Sequence, residues 1–88
     1  MHASVLRYFI EVARCGSVRK ASERLHVAAS AVNRQIHKLE DELGVELFDR
    51  LPGRLRLNSA GERLLPHAPE TLRQYQVMRT ELDAWLFS

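Results

Sequence analysis

Long apolar runs are missing from this chain: no stretch approaches the roughly 18 residues that a membrane span needs. Met1 leads straight into a mixed amphipathic segment, so no secretory leader is expected. Cysteine occurs once, as Cys15, which excludes an internal disulfide and fits a reducing cytoplasm. Cys15 has Arg14 beside it but neither a base nor a second thiol, and reads as structural. The four histidines, His2, His26, His37 and His67, lack metal-ligand spacing, and His26 reads as padding for a turn. No metal, no cofactor and no enzymatic chemistry are therefore expected. Internal repeats and low-complexity segments are absent as well. What remains is one domain at most: 88 residues, 45% hydrophobic, with the apolar residues in short groups. That composition suits a small helical protein whose core is marginal in size.

The net charge of +2 says little as a sum, but it is unevenly spread. Residues 14–38 carry Arg14, Arg19, Lys20, Arg24, Arg34 and Lys38 against Glu23 alone, a balance of +5. Residues 39–49 hold Glu40, Asp41, Glu42, Glu46 and Asp49 with no Lys or Arg, a balance of −5. Residues 50–63 return to +3 through Arg50, Arg54, Arg56 and Arg63 against Glu62. On charge alone, an ordinary solvated surface explains this. The arrangement also suits two separate contact surfaces for a polyanion.

Periodicity divides the chain into short elements. Ser4 is a candidate N-cap for a first helix to Cys15, with Leu6, Phe9, Ile10 and Ala13 on its core face and Gly16 as its stop. Ser17 caps a second helix to about Leu25, with Ala21 and Leu25 buried. After a brief turn, a third helix over about 28–43 carries Val32, Ile36, Leu39 and Leu43 at core spacing and stops at Gly44. Alternation in "VELFDRLPGRLRLN" predicts a two-stranded ribbon, 46–50 against 54–57, turning at Pro52-Gly53 as the centre of a type II turn. Asn58 caps a fourth helix, which should kink or restart at Pro66 and Pro69. Beyond Pro69, Leu72, Tyr75, Met78, Leu82 and Trp85 form an apolar stripe ending in "WLF".

Three short helices followed by a ribbon make a mainly α fold, a winged helix-turn-helix, with a long helix after it. In such a unit the third helix enters the DNA major groove and the ribbon, or wing, lies against an adjacent backbone. The third helix fits that use. Opposite its apolar arc stand Ser30, Arg34 and His37, with Asn33 and Lys38 at the edges and no acid before Asp41. Arg34 has the donors for guanine O6 and N7 or for a phosphate, and Asn33 those for adenine. Arg19 and Lys20, opening the second helix, suit phosphate contact where that helix crosses the backbone. Arg54 and Arg56 alternate with Leu55 and Leu57, which makes one face of the wing basic. The acidic "EDE" (Glu40, Asp41, Glu42) would lie where the helix leaves the groove, limiting its depth by phosphate repulsion.

The stretch from Leu6 to Ala68 resembles, without a gap, the DNA-binding domain of LysR-type transcriptional regulators. The matching points are "LRYF", the "GS" opening helix two, "AS.RLHV", "A.V..RQI..LE.ELGV.LF.R", "R.RL" and "AGE.LLP.A". Each is weak alone and together they are specific. The resemblance implies residues 1–58 as a winged helix-turn-helix DNA-binding domain and residues 59–88 as a linker and dimerisation helix. A larger effector-binding domain, also implied, is absent from this sequence. It further implies a bacterial, nucleoid-associated homodimer bound to double-stranded promoter or operator DNA, an inverted repeat, with a tetramer open to a full-length protein.

The DNA-binding set expected on these grounds is Ser17, Arg19, Lys20, Ala28, Ala29, Ser30, Asn33, Arg34, His37, Lys38, Arg50, Arg54 and Arg56. The dimerisation set is Leu65, Leu72, Tyr75, Met78, Leu82, Trp85 and Leu86. Two departures from the family pattern stand out. Ala28-Ala29-Ser30 replaces the usual Ser-Gln-Pro or Ser-Gln-Ser, which removes an N-cap worth about 1 kcal/mol and a base-reading amide. Ala29 retains only a methyl, suited to the thymine C5-methyl. Asn33 stands where Ser or Thr is usual, so the operator sequence does not carry over. A winged helix that dimerises with protein and reads no DNA is the alternative, and only the DNA binder would weaken steeply with salt.

Overall fold

The computed structural model describes residues 3–88. Its elements run α1 (Val5–Cys15), α2 (Val18–Leu25), α3 (Ala29–Leu43), β1 (Phe48–Leu51), β2 (Arg54–Leu57), α4 (Ser59–Leu64) and α5 (Ala68–Leu86). The mainly helical, winged helix-turn-helix architecture is thus present, with a long helix at its end.

Helix boundaries follow local chemistry. Gly16 and Gly44 adopt left-handed backbone at φ 66° and 72° and donate their N–H groups to Val12 and Glu40, a stop that glycine reaches without steric cost. Ser17 caps α2 by accepting the Lys20 N–H at 3.2 Å. Its other end is closed by His26, also left-handed at φ 57°, a conformation that histidine visits more often than most residues. Asn58 accepts the Gly61 N–H at 2.9 Å and so caps α4. Ser4 stands at the N-cap position of α1 but has helical backbone and makes no side-chain cap bond. The helix instead starts on carbonyls, the Leu6 N–H bonding to Ala3 and the Arg7 N–H to Ser4. Leu64 ends α4, and α5 restarts at Ala68 with Pro69 in its first turn, where the missing N–H of proline costs nothing.

The core comprises Val5, Leu6, Phe9, Val12, Ala21, Val32, Ile36, Leu39, Leu47, Phe48 and Ala68. Phe9 and Phe48 meet at 5.6 Å between ring centroids with a tilt of 53°, a geometry that adds about 0.5–1.5 kcal/mol to their burial. Burial corrects the periodic reading in three places. On α1, Val5 and Val12 are buried, whereas Ile10 and Ala13 are only half covered. On α2, Leu25 is half covered and Ser22 is buried, its hydroxyl donating to the Arg19 carbonyl at 2.7 Å. On α3, Leu43 is 44% exposed; it sits on the last turn, beyond the elements that cover Val32, Ile36 and Leu39.

The ribbon pairs Phe48 with Leu57, Asp49 with Arg56, Arg50 with Leu55 and Leu51 with Arg54. Pro52-Gly53 forms the two-residue turn, with Gly53 at φ 73° as position i+2 of a type II turn requires. Pairing begins at Phe48, not at Glu46. The wing is tied to the helices by the Leu55 N–H, which donates to the Gly16 carbonyl at 3.0 Å. Gly61 in α4 is buried where an added Cβ would collide with the Leu47 carbonyl. Residues 59–68 therefore pack into the same core as the three leading helices, and the chain extends 51 × 26 × 19 Å because α5 continues past them.

Candidate nucleic-acid interface

The turn between α2 and α3, His26 to Ala28, sets the two helices against each other, with Ala21 on one and Val32 on the other wholly buried. This packing leaves the other side of α3 in solvent. Ala28, Ala29, Ser30, Arg34, His37 and Lys38 are all exposed. Ala28 occupies the N-cap in extended conformation and offers no side-chain cap, as the loss of serine implies. Asn33 is half-buried and faces the cleft between α3 and the wing.

The wing reaches back toward the same side. On the face of the ribbon that carries Phe48, Arg50 and Leu55 pair directly across, so Arg50 points at α3 and lines that cleft with Asn33 and His37. A second hollow brings Ser17, Asn33, Arg50, Gly53 and Arg54 together. A third places Arg19 and Lys20 of α2 beside Arg54 and Arg56 of β2. Residues far apart in sequence thus converge: the start of α2, the Asn33–His37 side of α3 and the tip of the wing. Linker residues Leu72 to Leu86 take no part in these clefts.

The electrostatics distinguish two kinds of cation. Arg14 and Arg24 both approach Glu11, at 3.7 and 2.7 Å. Arg73 pairs with Glu70 and Arg79 with Asp83. By contrast, Arg19, Lys20, Arg34, Lys38, Arg50 and Arg54 form no ion pair among the described residues. Arg56 is intermediate, 3.6 Å from Asp49 directly across the ribbon with both side chains at least half exposed. Such a pair contributes little, about 0–1 kcal/mol, and a phosphate can replace it. Ser17 is partly occupied by its capping bond, which leaves its hydroxyl proton for a contact.

One residue of consequence escaped the sequence reading. Glu40 lies within the acidic run assigned to phosphate repulsion, yet its side chain is only 12% exposed. One carboxylate oxygen accepts the Leu47 N–H at 2.7 Å and the other lies 3.5 Å from His37 Nδ1. A signal was available: at 100° per residue Glu40 falls about 40° from Ile36, on the margin of the apolar arc and not opposite it. Asp41 and Glu42, by contrast, are exposed.

Among the described residues no group of His, Cys, Asp and Glu is placed to hold a metal ion; His2 lies outside them. Cys15 Sγ is 3.8 Å from Glu11 and half-buried beside the wing. No helix among the described residues is long and apolar enough to cross a membrane.

Comparison with known proteins agrees with this geometry. The family model for bacterial regulatory helix-turn-helix proteins of the lysR family matches residues 4–62. The HTH-type transcriptional regulator HdfR of Salmonella newport is 40% identical over 82 residues, which are 93% of this chain but 30% of that protein. The structure of a CbnR_DBD–DNA complex superposes with a TM-score of 0.85 at 34% identity, covering 98% of this chain and 99% of that one. That of BenM_DBD with catB site 1 DNA gives 0.81 at 28% identity, over 100% and 99%. This chain therefore spans less than a third of the length of the curated relatives it matches.

Proposed function

The chain belongs to the lysR family of bacterial regulatory helix-turn-helix proteins, and from that premise we propose that it binds double-stranded DNA sequence-specifically as part of a transcriptional regulator. The observation that carries this reading is that Arg19 and Lys20 of α2 meet Arg50 and Arg54 of the wing in neighbouring hollows, while Arg34 and Lys38 stand exposed on α3, all six without an ion pair among the described residues. Solved relatives of the same fold, CbnR_DBD and BenM_DBD, are complexes with DNA, and support the same use here. The function is binding, not catalysis.

In this reading α3 lies in the major groove with its N-terminal half deepest. Ala28, Ala29, Ser30, Asn33, Arg34 and His37 face base edges, and Lys38 the flanking phosphate. Ser17, Arg19 and Lys20 hold the backbone at the start of α2. Arg50, Arg54 and Arg56 contact the backbone or minor groove from the wing. No cofactor is needed. Residues 1–58 form the reading unit and 59–88 the linker, the first turns of which also complete the core. Dimerisation runs through Leu65, Leu72, Tyr75, Met78, Leu82, Trp85 and Leu86. Of these, Leu65, Leu72 and Tyr75 are half-buried, and the other four are exposed, Trp85 at 73%. A protein with these properties works in the cytoplasm, on the nucleoid, and a tetramer is open to a longer chain.

Selection of bound sequences from randomised DNA tests the proposal. The expected product is an inverted repeat whose half-sites are about 10 bp, or a multiple of that, apart. Recovery of no preferred sequence, with retained self-association, would favour a module that dimerises and reads no DNA.

A further inference from the structure

We propose that Glu40 is a positioning residue that fixes the wing against the recognition helix, so that its carboxylate strengthens DNA binding although its charge opposes phosphate. This rests on the DNA-binding reading above. Three hydrogen bonds and one close approach meet at this one residue. Its backbone carbonyl accepts the N–H groups of Gly44 at 2.8 Å and Val45 at 3.2 Å, closing the helix. Its side chain then passes beyond that closure to accept the Leu47 N–H at 2.7 Å. The other carboxylate oxygen lies 3.5 Å from Nδ1 of His37, a residue on the exposed face of the helix.

Leu47 is where the wing leaves the helices. It is buried, and its carbonyl accepts the Asn58 N–H at 3.0 Å. Asn58 in turn donates its amide to the Glu46 carbonyl at 2.7 Å and caps α4. Both strands of the wing are therefore rooted at one point, and on the α3 side the side chain of Glu40 holds that point. The wing has a second attachment at Leu55 to Gly16, so loss of the Glu40 bond loosens its angle without detaching it. Arg50 and Arg54 ride on this ribbon, and a bond to a charged acceptor is among the stronger hydrogen bonds available. Phosphate contacts at the wing depend on that angle; those of Arg19 and Lys20 do not.

The two roles open to an acid here predict opposite signs. If Glu40 acts by repulsion, Glu40→Ala tightens DNA binding. If it positions the wing, Glu40→Ala weakens binding to the selected site by about tenfold, the usual effect of losing a bond to a charged acceptor. Glu40→Gln keeps an acceptor for the Leu47 N–H and should retain affinity within about threefold. Asp41→Ala, at the exposed neighbour, is the repulsion control and should bind as tightly as the unaltered chain or more so.

The decisive readout is a double-mutant comparison in the full chain. In an Arg50→Ala, Arg54→Ala background, Glu40→Ala should cost almost nothing further, because the contacts it positions are gone. A loss that is the same in both backgrounds overturns the proposal in favour of a general folding effect, as does tighter binding by Glu40→Ala. Exchange of the Leu47 amide checks the bond itself: it should speed up in Glu40→Ala and not in Glu40→Gln. Failure of the unaltered chain to bind any selected DNA would instead sink the DNA-binding reading, which the unaltered chain reports by itself.

Discussion

Helices α3 and α5 are both amphipathic, and they are incomplete in opposite senses. In α3 the apolar side is covered except on the last turn: Val32, Ile36 and Leu39 are at most 3% exposed, and Leu43 44%. What lacks a partner is charge, since neither Arg34 nor Lys38 has an ion pair among the described residues. In α5 both arginines are matched by acids one turn away, Arg73 with Glu70 and Arg79 with Asp83. There the apolar side is unmet, with Met78, Leu82, Trp85 and Leu86 between 42% and 73% exposed. At about 100° per residue, Leu72, Tyr75, Met78, Leu82, Trp85 and Leu86 fall in one arc of roughly 140°. One helix is short of anions and the other short of an apolar surface. The first suits a polyanion, the second another copy of itself.

Breaking the apolar side of α5 should have the largest effect. Leu82→Asp combined with Trp85→Ala is expected to give a monomer by sedimentation and to weaken binding to a two-half-site DNA by about a hundredfold or more, since linked binding of two sites is lost. Single half-site affinity should barely change. Breaking the charged side of α3 comes next. Arg34→Ala should cost about 1–3 kcal/mol on the selected sequence and much less on random DNA. Equal losses on both would make Arg34 a phosphate contact.

Ala28→Ser would complete α3 at its N-terminus. Restoring the cap should raise stability by about 1 kcal/mol, read from urea unfolding. Arg54→Ala on the wing should weaken binding about evenly across sequences and flatten the salt slope by about one; a change in preferred bases would show that the wing reads sequence. The smallest effect concerns the matched charges of α5. A hydrogen bond from Arg73, reinforced by its charge, holds the Glu70 carboxyl below the ordinary carboxylate range. The pair's contribution is present above the unfolded-state pKa and is lost as pH falls through the lowered folded value. In Arg73→Ala, a carboxyl titration by NMR should show Glu70 back at the ordinary value, with DNA affinity unchanged.

Local chemistry made most of the fold readable in the sequence. Gly16, Gly44, Ser17, Asn58 and Pro52-Gly53 act on their immediate neighbours, and each does in the structure what its residue type favours. Apart from Ser4, whose helical backbone leaves it without a side-chain cap bond, the differences lie where a distant segment decides. Leu43 continues the periodicity of Val32, Ile36 and Leu39, but it lies on the last turn and stays 44% exposed. Val12 is buried in place of Ala13 because the phase of α1 is set by what packs on it. Glu40 reads as one acid in an acidic run; its helical phase puts it at the margin of the apolar arc, and the returning Leu47 N–H supplies the partner that holds it there. The candidate site divides in the same way. The exposed face of α3 follows from periodicity, whereas the meeting of Arg19 and Lys20 with Arg54, and of Asn33 with Arg50, depends on how the wing folds back.

The salt dependence of DNA binding by the unaltered chain reports how many phosphates this surface meets. Observed affinity should fall linearly on a log–log scale, with a slope near −0.9 per phosphate neutralised. For the unpaired cations of α2, α3 and the wing, that slope corresponds to several phosphates per protomer, on random and selected DNA alike. A slope near zero would contradict the claim that this surface is built to meet DNA.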